Sequence, residues 1–387
     1  MVPAKYNVRN LRVRWVTTLM TVVGTGLVVW ASVLTFGLAD GLDHALRISG
    51  DPLDLIVMRK GANDEGSSNV EQKVAKEIAN LDGIATDKSG QPLCSSEFVT
   101  ILTKPRRHNA GTTNLIVRGL QDVGRSLRPE FTIVRGRDVR PGVNEAITSV
   151  NMAERFENLA IGEKLEINKV LFEIVGYFEA AGSSAESEVW TDLRDLTGAR
   201  RQAEALSSIN LRCRDEAAKT ALLKRLRDDE QFKLDAIDEP KYFEKQMEAS
   251  STIKYVGYVI AVFLTMGAMF AAANTMYAAV ASRSREIGAL RAIGFSRRSI
   301  LLSFLFESFL LCLLGGLLGC LATLPFHGLS TGTMNGATFS EITFAFRFGP
   351  SVLLQGVIMA VTMGLVGGLF PAIRAIRMPI ISALRET

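Results

Sequence analysis

This chain of 387 residues contains few histidines and few cysteines, and its net charge is small. The three histidines, His44, His108 and His327, lie far apart and lack both metal-ligand spacing and a nearby nucleophile pattern. The formal net charge is only +4, which argues against binding to nucleic acid through bulk charge. We therefore expect a protein without a catalytic centre, a bound metal or a nucleic-acid partner.

A nucleotide-binding loop is also missing from the sequence. No G-x-x-x-x-G-K-[ST] pattern occurs, and Gly162–Lys164 lacks both the upstream glycine and the Ser or Thr of a phosphate loop. The chain is therefore predicted to be non-catalytic and to carry no cofactor of its own. Any ATPase that drives it is expected on a separate polypeptide.

The four cysteines fall into two pairs. Cys94 and Cys213 lie in the polar middle of the chain, whereas Cys312 and Cys320 lie in an apolar stretch, and no Cys/His spacing typical of a metal site occurs. A Cys94–Cys213 disulfide would suit an oxidising compartment, but the sequence does not supply the Cα separation that it requires. The bridged and the free forms both stay open at this point.

Four long apolar stretches dominate the hydropathy pattern: Trp15–Leu38, Ile253–Val280, Ile300–Leu324 and Ser351–Phe370. Because about 20 apolar residues in a helix span ~30 Å of hydrocarbon, each stretch is long enough to cross a bilayer. The pattern predicts a membrane protein with an α-helical bundle of four transmembrane helices and an α+β extracytoplasmic domain inserted between helices one and two. The first stretch exceeds a signal-peptide core and lacks a clear cleavage site, so we interpret it as a retained anchor.

Lysine and arginine predict the orientation of these helices. They cluster before the first helix, between helices two and three, and after helix four, whereas the link between helices three and four carries only Arg347. By the positive-inside rule both termini are cytoplasmic. The predicted order is a cytoplasmic N-terminus (1–14), helix one (15–38), the extracytoplasmic domain (39–252), helix two (253–281), a cytoplasmic coupling loop (282–299), helix three (300–324), an extracytoplasmic loop (325–350), helix four (351–371) and a cytoplasmic tail (372–387).

Strand and helix patterns alternate through the inserted domain. Helices are predicted at Asn69–Leu81 and Glu216–Arg227, and a further helix runs from Lys241 into the second membrane helix. Gly182–Ser187 is interpreted as a flexible link. Strands are predicted at Leu53–Met58, Phe98–Thr103, Asn114–Arg118, Phe131–Val134, Ala146–Val150, Lys164–Ile167, Leu171–Tyr177, Ser208–Arg212 and Phe232–Ile237. Helical connectors at both junctions would transmit force better than flexible linkers.

Small residues four positions apart and one carboxylate distinguish the apolar stretches. The pairs predict close helix approach, either within one copy or between copies: Gly267 with Ala271, Gly315 with Gly319, and Gly364 with Gly368. Glu307 lies about seven residues into helix three, where an unpaired charge is costly. We predict a structural ion pair between Glu307 and an arginine of the 282–299 loop; reach to the membrane interface and a role in proton coupling are the alternatives.

The 282–299 loop has the pattern of a short helix. Three apolar residues recur at three-residue spacing and are predicted to be buried on one face: Ile287, Leu290 and Ile293. The charged residues among them are predicted to face water or a partner: Arg285, Glu286 and Arg291. Gly294 suits a left-handed helix stop, and Ser296 can cap the next helix.

Two segments carry a family resemblance. Residues 278–299 read AAVASRSREIGALRAIGFSRRS, and residues 367–387 read GGLFPAIRAIRMPIISALRET. Together they resemble the MacB/FtsX-type ABC transporter permeases, which show an S/T-R-x-R-E-I-G-x-x-x-A-x-G segment after helix two and a P-A-x-x-A-x-x-x-P-x-x-A-L-R tail. The resemblance is strong over the membrane part and weaker over the inserted domain.

The resemblance implies a permease subunit of an ATP-driven export system in a bacterial cytoplasmic (inner) membrane. Its implied partners are two copies of an ABC ATP-binding subunit that binds ATP and Mg, a second permease copy in a homodimer or heterodimer, a periplasmic adaptor (membrane fusion) protein, and the lipid bilayer. In the family the short loop helix lies against the ATP-binding subunit. This coupling role carries over to Arg285, Glu286, Ile287, Gly288, Leu290, Arg291 and Gly294.

The C-terminal tail is predicted to lie at the membrane surface. Because proline cannot continue a helix ladder, Pro371 and Pro379 predict two bends. The arginines would contact anionic lipid head groups, and contact with the ATPase is the alternative: Arg374, Arg377 and Arg385.

Three functional classes stay open at the level of sequence. The first is extrusion of a lipoprotein, lipid, peptide or amphiphilic compound by mechanical transmission. The second is an FtsX-like mechanical regulator of an extracytoplasmic cell-wall hydrolase. The third is a membrane-bound sensor without transport, which would need a cytoplasmic output domain larger than the short segments predicted here.

Overall fold

The computed structural model describes residues 15–379, except 108–110, 129–130, 203, 230–231 and 336–339, and describes only the backbone of 247–254. The described residues form two compact units. The helical unit comprises residues 15–40, 253–329 and 346–379. The inserted domain comprises residues 41–252 and 330–345.

The described residues contain ten α-helices and fourteen strands. The helices are α1 (Trp15–Arg47), α2 (Gln72–Ile78), α3 (Asp122–Ser126), α4 (Val150–Arg155), α5 (Leu193–Ala199), α6 (Glu216–Asp228), α7 (Glu239–Ala281), α8 (Ser284–Ala292), α9 (Arg297–Thr323) and α10 (Pro350–Arg377). The strands are β1 (Asp54–Arg59), β2 (Val70–Glu71), β3 (Cys94–Pro105), β4 (Thr112–Leu120), β5 (Phe131–Gly136), β6 (Glu145–Ser149), β7 (Lys164–Ile167), β8 (Val170–Ala180), β9 (Glu188–Asp192), β10 (Ala205–Leu206), β11 (Ser208–Arg212), β12 (Leu234–Asp238), β13 (Ser330–Met334) and β14 (Glu341–Ala345).

Four helices of the described chain are long and apolar enough to cross a membrane, which confirms the predicted number of spans. They are α1, the Tyr255–Ala281 part of α7, α9 with the turn that follows it to Phe326, and α10. Glycines allow their close approach: a Cβ on Gly319 would lie 2.5 Å from Gly26 O, and one on Gly364 would lie 2.9 Å from Ser308 O. A Cβ on Gly267 would meet no atom within 4 Å, so the Gly267–Ala271 pair does not serve close packing within this unit, and its packing between copies stays a prediction.

The inserted domain is built on a mixed ten-stranded sheet, which confirms the predicted insertion of strands and helices between the first two spans. The strand order is β12-β1-β11-β3-β4-β9-β6-β8-β5, with β7 paired to β8. The β4–β9 and β6–β8 pairs are parallel, whereas the other pairs are antiparallel. A register shift between Ile133 and Arg135 places a bulge in the terminal strand β5.

The sheet begins with the two strands that adjoin the long helices. β1 follows α1, β12 precedes α7, and the two strands pair antiparallel with Leu55 opposite Asp238. The Asp51 backbone N–H donates to Glu239 Oε2 at 2.9 Å, and a Cβ on Gly50 would lie 2.8 Å from Pro240 N. The chain therefore enters and leaves the domain side by side.

Two segments of the domain differ from the sequence-based prediction. The region predicted as a helix from Asn69 to Leu81 begins with strand β2, which pairs with β10, so its helix is limited to α2. The predicted flexible link Gly182–Ser187 instead contains a short 3₁₀-helix at Ser184–Ser187. The buried Glu186 carboxylate fixes this turn because it accepts hydrogen bonds from the Ala180 and Gly182 backbone N–H groups.

The predicted loop 325–350 contains a β-hairpin, formed by β13 and β14, that belongs to the inserted domain. In β14, Ile342 and Phe344 are buried, and so are the alternating polar residues Glu341 and Thr343. A strand buried on both faces through polar contacts does not show the apolar alternation that marks strands in sequences. The hairpin was therefore missed.

A buried cluster of charges crosses the centre of the sheet. Arg118 contacts three carboxylates at 2.7 Å: Glu65, Glu97 and Glu188. Trp190 Nε1 also donates to Glu188, at 2.8 Å. Burial alone would raise the pKa of Glu65, but the charge and hydrogen bonds of Arg118 hold it at about 2.

Removing Arg118 should lower the stability of the inserted domain, because its buried carboxylate partners would lose the positive charge of its guanidinium group. We expect Arg118→Met to lower the free energy of unfolding by about 3–5 kcal/mol. The matched control is Arg47→Ala, which breaks the exposed Arg47–Asp43 pair and should change stability by less than about 0.5 kcal/mol. Denaturant unfolding of the full chain in detergent, followed by tryptophan fluorescence, measures both; equal effects would contradict the role of the cluster.

Glu239 should make the stability of the domain pH-dependent. Burial raises the pKa of its carboxyl group to about 8, against the opposing charge of Arg128. Between the ordinary value of 4.5 and about 8, the folded chain retains a proton that the unfolded chain has lost, so stability falls as pH rises through this window. In Glu239→Gln this fall should shrink, as measured by unfolding midpoints from pH 5 to pH 9; an unchanged slope would contradict the assignment.

Candidate functional site

The candidate functional site is helix α8 and its contacts within the helical unit. Gly294 has φ +105°, and the Phe295 backbone N–H donates to Leu290 O at 3.1 Å, which closes the helix in the left-handed manner predicted. Ser296 caps the next helix α9, because its side chain accepts a hydrogen bond from the Ser299 backbone N–H. The predicted helix stop at Gly294 and the predicted helix cap at Ser296 are therefore both confirmed.

The buried face of α8 is narrower than predicted. Ile287 is only 3% exposed and packs in a cluster with Val280, Ile300 and Phe304. Leu290 is half-buried, whereas Ile293 is 77% exposed. The prediction that Ile293 shares the buried face is wrong, because six residues at about 100° each rotate the side chain by about 240° from Ile287.

The charged residues of α8 do not all face outward. Arg285 and Glu286 are exposed, as predicted. Arg291 instead reaches the end of α10, where its Nη1 donates to Met378 O at 2.7 Å. The prediction that Arg291 faces water or a partner is therefore wrong: it ties the loop helix to the last membrane helix.

A buried ion pair joins the start of α8 to α9. Arg283 Nη1 lies 3.0 Å from Glu307 Oε2, and both side chains are 8% exposed. The Arg283 guanidinium also lies 5.7 Å from the centre of the Phe304 ring. The predicted ion pair of Glu307 is confirmed, but its partner Arg283 was not among the predicted site residues, although the arginine-rich loop pointed to it.

The end of α10 lies beyond the predicted end of helix four. Pro371 is buried within the helix, which continues to Arg377, so the prediction that helix four ends at residue 371 is wrong, whereas the bend at Pro371 stays a prediction. The carbonyl that a proline ring would crowd belongs to Gly367, whose lack of a side chain eases local adjustment. Arg374 lies 5.7 Å from the Tyr277 ring centre, and Pro379 follows the end of the helix. Arg385 lies outside the described residues.

The remaining candidate groups do not form a chemical centre in the described chain. Cys94 and Cys213 are free thiols, and burial raises the pKa of each to about 12. Cys312 and Cys320 are free and buried in the helical unit. Among the described residues no group of three or more His, Cys, Asp or Glu side chains could hold a metal ion.

The fold and the loop helix define a membrane protein in which four apolar helices carry an inserted sheet domain. A model of the MacB-like periplasmic core domain matches residues 18–229, and a model of the FtsX-like permease C-terminal domain matches residues 258–380. Because the first match covers more than half of the sequence, the chain belongs to the MacB/FtsX-type family of ABC transporter permeases.

Individual relatives show how far the similarity extends. The macrolide export ATP-binding/permease protein MacB of Campylobacter jejuni is 27% identical over 80% of this chain and 46% of its own length. The MacB of Bdellovibrio bacteriovorus is 27% identical over 94% of this chain and 58% of its own length. The solved periplasmic region of MacB from Actinobacillus actinomycetemcomitans is 11% identical to this chain, with a TM-score of 0.38. That match covers 54% of this chain and 97% of the solved one. The chain spans about half the length of the curated relatives that it matches.

Arg283 and Glu307 should contribute to the stability of the helical unit together, with a measurable interaction energy between them. Glu307→Gln and Arg283→Met should each lower the unfolding free energy by about 3–5 kcal/mol, because each removes the ion-pair partner of a side chain that is only 8% exposed. The double variant should lose less unfolding free energy than the two single variants lose in total. A double-mutant cycle on the purified full chain measures the coupling, and additive losses would contradict it.

Proposed function

We propose that this chain is the permease subunit of an ATP-driven export system in a bacterial cytoplasmic membrane. It works with a second permease copy and two ATP-binding subunits, which bind ATP and Mg. The observation that carries the proposal is the two-sided character of α8. Ile287 anchors one face of α8 in the helical unit. Ile293, the residue that follows the last turn of α8, is an exposed apolar side chain that a partner protein would cover.

The proposed orientation places α8 and both termini in the cytoplasm. The arginines of the 282–299 loop support this orientation, because cytoplasmic loops carry the excess of positive charge. The inserted domain then lies on the opposite side of the membrane. ATP would act at one surface and the work would be done at the other.

The proposed mechanism is mechanical transmission through fixed contacts. Movement of α8 reaches α9 through the Arg283–Glu307 pair and reaches α10 through the bond from Arg291 to Met378. The continuous helix α7 delivers movement to β12, the strand that precedes it. The Arg283–Glu307 pair joins two buried side chains, and closely packed groups transmit displacement with little loss.

The proposed cargo is amphiphilic and is taken up outside the cytosol. The four apolar stretches predicted from the sequence contain two charged residues, Lys254 at the start of the second stretch and Glu307 in the third. Glu307 is paired with Arg283, so the spans offer little support for a polar pathway. The relatives are named for macrolide export, which agrees with an amphiphilic cargo. A lipid, lipoprotein or peptide belongs to the same physical class.

The exposed face of α8 is tested by Ile293→Asp. We expect loss of binding to the ATP-binding subunits and at least a tenfold loss of ATP-dependent extrusion in proteoliposomes. The melting temperature should be unchanged, because the Ile293 side chain is 77% exposed. Ile161→Asp, at a partly exposed isoleucine of the inserted domain, is the matched control and should be silent. Ile287→Asp should instead lower the melting temperature. Full activity of Ile293→Asp would refute the coupling role.

The orientation is tested by labelling single cysteines with a membrane-impermeant maleimide. Arg285→Cys and Lys88→Cys place thiols on α8 and on the inserted domain, and the four native thiols are buried. In intact cells Lys88→Cys should react and Arg285→Cys should react only after lysis. Reaction of both in intact cells would place them on one side and reject the scheme.

Partner capture with the full chain separates export from regulation. The FtsX-like match over residues 258–380 keeps the hydrolase regulator as a rival. Recovery of a lipid, a lipoprotein or an adaptor favours export, whereas recovery of a cell-wall hydrolase favours regulation.

A further inference from the structure

The hairpin formed by β13 and β14 brings a carboxylate to two arginines of the inserted domain. Glu341 is 2% exposed, and Arg106 Nη2 lies 2.6 Å from its Oε2. Arg155 forms an ion pair with the other oxygen, Oε1. The two arginines come from segments far apart in sequence, one following β3 and the other ending α4, so the fold assembles them.

The backbone holds the two arginines in place. Arg106 forms an isolated bridge with Phe156, and the Arg107 backbone N–H donates to Arg155 O at 2.9 Å. Glycine at position 332 gives the carboxylate room: a Cβ there would overlap Glu341 Oε1 and would lie 2.6 Å from Arg155 Nη2. The contact is therefore a shaped site rather than a surface ion pair between mobile side chains.

The site offers more donors than a carboxylate uses. Arg106 Nε is buried and has no acceptor among the described residues. A carboxylate supplies two oxygens, and each already faces one arginine. A phosphate group supplies three or four oxygens in a tetrahedral arrangement, so it could also reach the remaining N–H, and paired arginines are favoured for such recognition.

We propose that Arg106 and Arg155 form a binding site for the phosphate group of an external ligand, which Glu341 of the hairpin occupies as an internal substitute. The hairpin makes polar contacts beside its buried Ile342 and Phe344: the Thr343 backbone N–H, for example, donates to Ser187 Oγ at 2.8 Å. Polar and charged groups recover hydration when they separate, so this polar part of the contact costs less to open than an apolar interface of the same area. Ligand binding and release of the hairpin are then one equilibrium.

This competition predicts that the wild-type chain binds phosphate weakly. The apparent affinity is reduced by the fraction of molecules in which Glu341 occupies the site. Glu341→Gln removes the internal anion and keeps the side-chain size. We expect it to bind inorganic phosphate at least about tenfold more tightly than the wild type, by titration calorimetry on the full chain in neutral detergent.

Two probes distinguish the source of the phosphate. Dihexanoyl phosphatidic acid carries the group on a lipid, and dihexanoylglycerol lacks it. Equal tightening for inorganic phosphate and for phosphatidic acid supports recognition of the phosphate alone, whereas tightening for phosphatidic acid only supports a lipid head group. Equal binding of dihexanoylglycerol and phosphatidic acid would overturn the proposal, because the phosphate would then contribute nothing.

Further variants keep the test decisive. Adding Arg155→Gln to Glu341→Gln should return binding to the wild-type level. Gly332→Ala keeps Glu341 but crowds its carboxylate, so it should give a smaller gain and serves if Glu341→Gln does not fold. Glu163→Gln, which breaks the exposed Arg107–Glu163 pair nearby, is the charge-matched control and should give no gain.

The proposal fails if folded Glu341→Gln, or Gly332→Ala in its place, binds phosphate no more tightly than the wild type. It also fails if Glu163→Gln gives an equal gain, since any lost negative charge would then suffice. These measurements record binding rather than transport, so their outcome is independent of the proposed export function.

Discussion

The antiparallel pairing of β1 with β12 is the constraint on which the attachment of the inserted domain depends. One strand follows the first long helix and the other precedes the second, so their ladder fixes the two connectors at the end of the sheet. The hydrogen bond from Asp51 to Glu239 and the ion pairs of Arg212 with Asp51 and Asp54 reinforce the same junction. The two connectors are therefore held together where they join the sheet.

Local patterns in the sequence predicted the features that depend on neighbouring residues alone. Apolar length predicted the four spans, and the costly charge of Glu307 predicted its ion pair. Features that depend on distant segments were missed, such as the charge cluster around Arg118, whose partners lie far apart in the sequence. The hairpin was missed because its buried strand is polar on one face. The exposure of Ile293 was missed because residues three positions apart are about 300° apart around a helix, so a series of them moves steadily away from one face.

Buried charges serve different purposes in the two units. In the inserted domain, Arg118 neutralises carboxylates that the sheet encloses, and the low pKa of Glu65 reflects that compensation. In the helical unit, the Arg283–Glu307 pair joins the loop helix to a membrane helix. Family membership accounts for the architecture, whereas these side-chain contacts decide which residues of the loop helix anchor it and which remain available to a partner.

The bulge in β5 has a consequence for an assembly of more than one copy. β5 is the last strand in the sheet path, and its register shifts between Ile133 and Arg135. In the proposed assembly of two copies, the inserted domains would be held at high local concentration, where open sheet edges tend to join. An irregular edge with a charged residue at its distortion resists such joining, so this end of the sheet is protected against pairing with a second copy.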